Sequence, residues 1–165
     1  MLAAFLSLII VGFLALIAIP AQAAQTSRLA EFLPKVQANE LFPGADRFGE
    51  LLSGAKDGEP AIVPVYRGDE LLGHAFLNSD FTSSIGYSGK PIHIIAGLDQ
   101  DGVLRGLKMV EHQEPIVLIG IPEEQVLASL NALIDRDIGR VSRGEERPPQ
   151  VDIVSGATGT VLVMG

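Results

Sequence analysis

Ile92-His93-Ile94-Ile95-Ala96-Gly97-Leu98-Asp99, then Gln100-Asp101-Gly102, then Val103-Leu104-Arg105-Gly106-Leu107-Lys108-Met109-Val110-Glu111 is the stretch on which the fold turns. Two β-prone runs flank an Asp-Gly pair, a strong short-range signal for a hairpin because glycine supplies the positive φ that a tight turn needs. The same arrangement precedes it. Ile62 to Arg67 and Leu71 to Asn78 are β-prone and are separated by Gly68-Asp69. Four such runs in succession predict an antiparallel meander.

Further out, the period changes. Leu29, Phe32, Leu33, Val36, Leu41 and Phe42 are spaced as on a helix, with Thr26 or Ser27 as N-caps. Pro34 and Pro43-Gly44 limit this region to one or two short helices. Asp46-Arg47-Phe48-Gly49 reads as a further helical turn or loop, and Ser53 to Pro60 as a loop rich in glycine and charge. Pro122-Glu123-Glu124-Gln125 opens a helix that runs to about Ile134, with Leu127, Leu130, Leu133 and Ile134 inward. Asp135 to Gln150, charged and carrying Pro148-Pro149, reads as a surface loop. The fold class that follows is α+β, a twisted antiparallel sheet with flanking helices.

Residues 1–23 form a separate unit. Leu2 to Ile19 is apolar and uncharged, Pro20 ends the run, and Ala21-Gln22-Ala23 supplies a small-residue cleavage pattern. This is a signal peptide cut after Ala23, or alternatively an uncleaved N-terminal anchor, since about 18 apolar residues just span a bilayer. Either reading puts residues 24–165 outside the cytoplasm as one domain. All 12 basic and 20 acidic residues lie in that part, which carries the net charge of −8. An acidic domain without a Lys/Arg cluster repels phosphate backbones, so nucleic acid is not an expected partner. Cysteine is absent, which excludes disulfides, cysteine catalysis and iron–sulfur ligation by this chain. Tryptophan is absent too, so an aromatic contact with a ligand ring must come from Phe, Tyr66 or Tyr87.

The chemistry-bearing residues gather near the C-terminal end. Asp152-Ile153-Val154-Ser155-Gly156-Ala157-Thr158 sets small and polar residues between the β-branched runs Val151 to Val154 and Val161 to Val163. Small side chains let a bulky ligand approach the backbone and leave the hydroxyls of Ser155 and Thr158 unobstructed. Taken alone, the same residues also suit an ordinary turn between strands. A second group is Tyr87-Ser88-Gly89-Lys90, where Tyr87 can stack on a ring, Ser88, Gly89 and backbone groups can meet a phosphate or polyol, and Lys90 can offset phosphate charge. A third is Val110-Glu111-His112-Gln113-Glu114-Pro115-Ile116. Plain loop chemistry at Tyr87 and Lys90, and a strand terminator at Glu114-Pro115, remain open alternatives. His74, His93 and His112 are isolated, with no second histidine at ligand spacing, so no metal site is expected. No Gly-x-Ser-x-Gly elbow surrounds Ser155, and no strand–glycine loop–helix pattern suits a P-loop.

These segments together resemble the FMN-binding domains of membrane electron-transfer proteins, the RnfG, NqrC and NosR group. The closing Asp-x-x-Ser-Gly-Ala-Thr is similar to that family's flavinylation motif, and the His-x-Glu-Pro-Ile form at His112 to Ile116 resembles its NosR-type members. So do Leu33-Pro34-Lys35-Val36 and Leu41-Phe42-Pro43-Gly44-Ala45-Asp46-Arg47-Phe48-Gly49. The resemblance implies FMN joined by a phosphoester to Thr158, placed there by a flavin transferase that takes FAD as donor, with Asp152 as part of what that enzyme recognises. Asp152, Ser155, Gly156, Ala157 and Thr158, with Tyr87, Ser88, Gly89, Lys90, Glu114 and Pro115, are then the cofactor-binding set. It further implies a periplasmic, membrane-associated electron-transfer component, not a stand-alone catalyst. Its partners would be a membrane electron-transfer chain and nitrous oxide reductase, whose regulation is the role of the NosR type. Because the family continues with a further helix after the motif, a C-terminally incomplete domain with Val161 to Met164 exposed is also expected. Two other readings stand beside it: an exported α+β module that binds a ligand or partner without covalent flavin, and an anchored adaptor of the Rnf kind.

Overall fold

The computed structural model describes residues 27–52, 60–86, 88–115 and 128–148. The N-terminal segment 1–23, most of the 53–60 loop, the start of the 122–134 helix, Tyr87 and the 152–158 motif with Val161 to Met164 lie outside these residues.

Two short helices come first. Helix α1 (Leu29–Phe32) passes into a 3₁₀ turn at Leu33–Lys35 because Pro34 has no amide to continue the ladder. Ser27, one of the two expected caps, accepts the Leu29 amide on Oγ at 3.2 Å. Helix α2 (Ala38–Leu41) is closed at its start by Glu40, whose Oε2 accepts the Gln37 amide at 2.8 Å. That amide bond and the Lys108 ammonium, 2.9 Å away, hold the Glu40 carboxyl below the usual carboxylate range.

The sheet has five strands in the order β1-β2-β3-β4-β5, each antiparallel to the next. Strands β2 (Ile62–Arg67), β3 (Glu70–Leu77), β4 (His93–Asp99) and β5 (Leu104–Glu111) match the four expected runs to within a residue at each end. Both expected hairpin turns form; Gly102 takes φ +86 in the second. The first strand is a correction. Arg47–Phe48, expected as a helical turn or loop, is β1 and pairs with Tyr66 and Val65. Its sequence carries no strand period, but the open edge of β2 offers carbonyls. Asp46 donates to Tyr66 O at 2.9 Å and Gly49 to Pro64 O at 2.8 Å, so tertiary pairing decides the conformation. The expected 135–150 loop likewise contains helix α3 (Ile138–Ser142), capped by Asp137, whose Oδ1 accepts the Arg140 amide at 2.8 Å.

Strand β4 has apolar layers on both faces. Ile95 joins Leu29, Phe32, Leu41, Phe42, Val63, Val65, Ala75 and Leu77 under the helices, whereas Ile92 and Ile94 join Met109 and Leu130 on the other side. Leu130 and Leu133, both expected inward, pack in that second layer; Ile134 is half-buried. The helix layer sits close because Gly97 and Gly106 are register partners. A Cβ on Gly97 would lie 2.5 Å from the Phe42 ring, and one on Gly106 would lie 2.6 Å from the Leu41 carbonyl oxygen. The glycine pair is a notch that seats the end of α2.

Candidate functional site

After β3, the chain makes a 3₁₀ turn at Asn78–Asp80 and returns to β4 through residues 81–92. Asn78 fixes that return. Its Oδ1 accepts the Ile94 amide at 2.8 Å and its Nδ2 donates to Ile92 O at 3.1 Å, extending the β3–β4 ladder with a side chain. Residues 86–90 form a compact turn on this return, with Gly86 N donating to Lys90 O at 2.8 Å and Gly89 N to Gly86 O at 3.1 Å.

Ser88 and Glu114 meet here. Glu114 is 4% exposed, and its Oε1 accepts both the Ser88 amide (3.1 Å) and the Ser88 hydroxyl (2.9 Å). The Ser88 oxygen in turn accepts the Lys90 amide at 3.2 Å. The structure thus brings Ser88, Gly89, Lys90 and Glu114 together, with Pro115 exposed beside Glu114. Polar atoms of Ser88 that the sequence suggested for a phosphate are engaged by the carboxylate instead. Gly89 and Lys90 are left on the outer surface of the turn. Gly86 was not singled out in the sequence; it stands so near the Glu114 carboxylate that a Cβ there would lie 2.1 Å from Oε1, a closeness that only three-dimensional proximity discloses.

A second polar cluster supports the start of β4. His93 is 5% exposed and touches the Phe32 ring, 4.9 Å between centroids. Arg28 Nη1 lies 3.1 Å from His93 Nε2, and Ser79 Oγ lies 2.7 Å from His93 Nδ1. A guanidinium can only donate, so Nε2 is the acceptor and the ring proton sits on Nδ1, given to Ser79. Glu111 reaches the same point, 3.3 Å from Arg28, because the ladder irregularity at His93/Ile94 skips Val110. Burial first, and the Arg28 guanidinium second, hold His93 below the usual imidazole range against the opposite pull of Glu111, Asp80 and Glu31. Ser27 Oγ bonds to Asp80 and completes the cluster. The sequence signal for it was a histidine opening an otherwise apolar strand.

With this geometry in view, comparison with known proteins is decisive for residues 86 onward. The family model of the FMN-binding domain matches residues 86–164. The chain is 40% identical over 147 residues to the regulatory protein NosR of Pseudomonas aeruginosa, covering 86% of this chain and 20% of that protein. It is 38% identical over 146 residues to the regulatory protein NosR of Stutzerimonas stutzeri, covering 86% of this chain and 18% of that one. The protein NirI of Paracoccus denitrificans is 30% identical over 95 residues, covering 57% and 14% respectively.

Over residues 86–164 the chain belongs to the FMN-binding domain family.

The chain is NosR-like over most of its length and spans about a fifth of the NosR proteins it matches. The matched region begins at the Gly86 turn just described, and the described residues suit a flavin in two respects. Among the described residues, and apart from its chain neighbours, nothing lies within 4 Å of where a Cβ on Gly89 would stand, and the exposed Lys90 adjoins it, so an anionic phosphate can come close. Along the approach to the turn, Phe81 and Ile85 are 58% and 56% exposed and offer apolar contact for a ring system. Among the described residues no three His, Asp or Glu side chains gather as a metal site, and no helix is long and apolar enough to cross a membrane.

Proposed function

We propose that this chain is an exported electron-transfer flavoprotein domain whose FMN is joined to Thr158 through a phosphoester. One observation carries the reading: the FMN-binding family match, residues 86–164, contains Asp152-Ile153-Val154-Ser155-Gly156-Ala157-Thr158, with a hydroxyl at the position the resembling motif modifies. A free threonine hydroxyl is a weak nucleophile, so attachment needs a flavin transferase. The Thr158 oxygen forms a bond to the FMN phosphorus of FAD, the pyrophosphate linkage breaks, AMP leaves and the hydroxyl proton is released. Asp152 contributes to recognition by the transferase. When bound, FMN supplies one- and two-electron transfer, and the protein's part is to hold and tune it. Lys90, on the 86–90 turn, offsets phosphate charge, and Tyr87 stacks on the ring.

The apolar residues 1–23 direct residues 24–165 to the periplasmic side of a membrane. There the domain passes electrons between a membrane electron-transfer chain and a periplasmic acceptor. The NosR likeness favours a role in the regulation or maturation of nitrous oxide reductase.

The test is to express the full chain with and without a flavin transferase, denature it, and look for flavin fluorescence that migrates with the protein band. Signal that needs the transferase and is lost in Thr158→Val but kept in Thr160→Val is the expected result. A folded wild-type chain, shown so by circular dichroism, that releases all its flavin on denaturation makes it a non-covalent binder; one that never holds flavin refutes the assignment.

A further inference from the structure

The geometry assigns Glu114 the task of a positioning residue: its buried carboxylate latches the 86–90 turn to the segment leaving β5 and sets where Gly89 and Lys90 stand, without meeting the cofactor itself. The assignment rests on the proposed reading of this turn as part of the flavin site. Three contacts carry it. First, Glu114 Oε1 accepts two hydrogens from one residue, the amide and hydroxyl of Ser88, and Ser88 passes the hold on to the Lys90 amide. One carboxylate oxygen therefore anchors a relay that ends at the lysine. Second, Gly86 closes over the same carboxylate so tightly that an added Cβ would stand 2.1 Å from Oε1 and 2.5 Å from Cδ. Such contacts do not exist for real Cβ atoms, so the turn accepts only glycine there while Glu114 is in place. Third, the Glu114 amide donates to His112 Nδ1 at 3.2 Å, which ties the latch to the chain just past the end of β5.

Charge explains why the carboxylate faces this way. A carboxylate beside a flavin phosphate would repel it, and a carboxyl group this buried needs hydrogen-bond partners. Turned onto Ser88 it has donors, and the cation of Lys90 is left on the exposed side of the turn.

The full chain is compared with Glu114→Ala, Glu114→Gln, Gly86→Ala and the Gly86→Ala/Glu114→Ala pair. Amide hydrogen exchange at Ser88 and Lys90, and covalent flavin per folded chain after transferase treatment, are the two readouts. Glu114→Ala is expected to speed exchange at both amides by about tenfold or more and to lower flavin incorporation severalfold. Glu114→Gln keeps an oxygen that accepts both Ser88 hydrogens and should restore both readouts. Gly86→Ala should disturb exchange alone but add little in the Glu114→Ala background, since the atom it strikes is gone. Additive effects of the pair would overturn the latch. So would a Glu114→Gln chain with normal Ser88 exchange but the flavin loss of Glu114→Ala, because the charge would then act on the cofactor directly. If Glu114→Ala does not fold, Ser88 exchange in Glu114→Gln and Gly86→Ala decides: protected in the first and fast in the second supports the latch, any other pattern refutes it. A wild-type chain without flavin refutes the flavin reading, while the exchange and coupling data still decide the latch.

Discussion

Gly106→Ala isolates the contact between the sheet and helix α2. A Cβ on Gly106 would stand 2.6 Å from the Leu41 oxygen, 2.8 Å from Leu41 Cα and 2.9 Å from the Glu40 oxygen, all backbone. Restoring a tolerable separation of about 3.4 Å moves α2 outward by about 0.8 Å, the difference between the two distances. That motion works against buried Ala38 and Leu41 and stretches the Glu40–Lys108 ion pair. Overpacking of this kind costs about 1–3 kcal/mol, and replacing a strand glycine returns about 0.5–1 kcal/mol of backbone entropy. The net expectation is about 0–2.5 kcal/mol of destabilisation, centred near 1 kcal/mol, read as a lower urea midpoint with an unchanged m value, or as a fall in Tm of up to about 10 °C. The neighbouring Gly97→Ala strikes a side chain instead, the Phe42 ring at 2.5 Å. Phe42→Leu should therefore relieve Gly97→Ala and leave Gly106→Ala unrelieved, a difference that a double-mutant cycle measures. A stabilising Gly106→Ala, or equal relief of both variants by Phe42→Leu, would refute the seating of α2 in a glycine notch.

Two further predictions concern the supports of β4. His93 is held neutral in the fold, so the unfolded chain binds the extra proton: the stabilisation is complete above the unfolded value near 6.5 and is lost as pH falls from there through the lower folded value. Denaturation titrations across this range should show a slope of up to about 1.4 kcal/mol per pH unit, and His93→Gln should flatten it; an unchanged slope in the variant assigns the effect elsewhere. Asn78→Ala leaves the Ile94 amide and the Ile92 carbonyl without their partner and should cost about 1–3 kcal/mol, with Asn78→Asp, which keeps the acceptor for Ile94, losing less; equal losses in urea melts would count against the bracing role.

β-prone runs and turn chemistry made the meander readable, since both hairpins carry a glycine with positive φ where the backbone needs one, whereas β2 and β4 bury consecutive residues and show no simple alternation. Strand β1 was not readable, because Arg47 and Phe48 are extended only by virtue of the edge they join. Helix α3 escaped for a related reason: its five residues hold only the pair Ile138 and Val141 as an apolar signal, and the 135–138 segment is held beside β5, with Asp135 N donating to Leu104 O at 2.7 Å and Val103 bridging Asp137. At the candidate site the residue types were legible and their division of labour was not. Ser88 and Glu114 both stood in the expected cofactor-binding set, yet they lie 26 positions apart and bond to each other. Nothing short of the fold brings Gly86 against the same carboxylate, or Arg28 to the ring of His93 across 65 positions.

Strand β4 sorts its own mutations by odd and even number. His93, Ile95 and Gly97 answer to the helices, through Phe32, the main core and Phe42, while Ile92 and Ile94 answer to the layer of Met109 and Leu130 within the FMN-binding part. A trimmed side chain at 95 loosens the half of the molecule that precedes the flavin-binding sequence, and the same change one position earlier loosens the half that belongs to it. Adjacent residues on one strand thus report on separate packing layers, and trimmed side chains at 94 and 95 are expected to destabilise the fold through different neighbours.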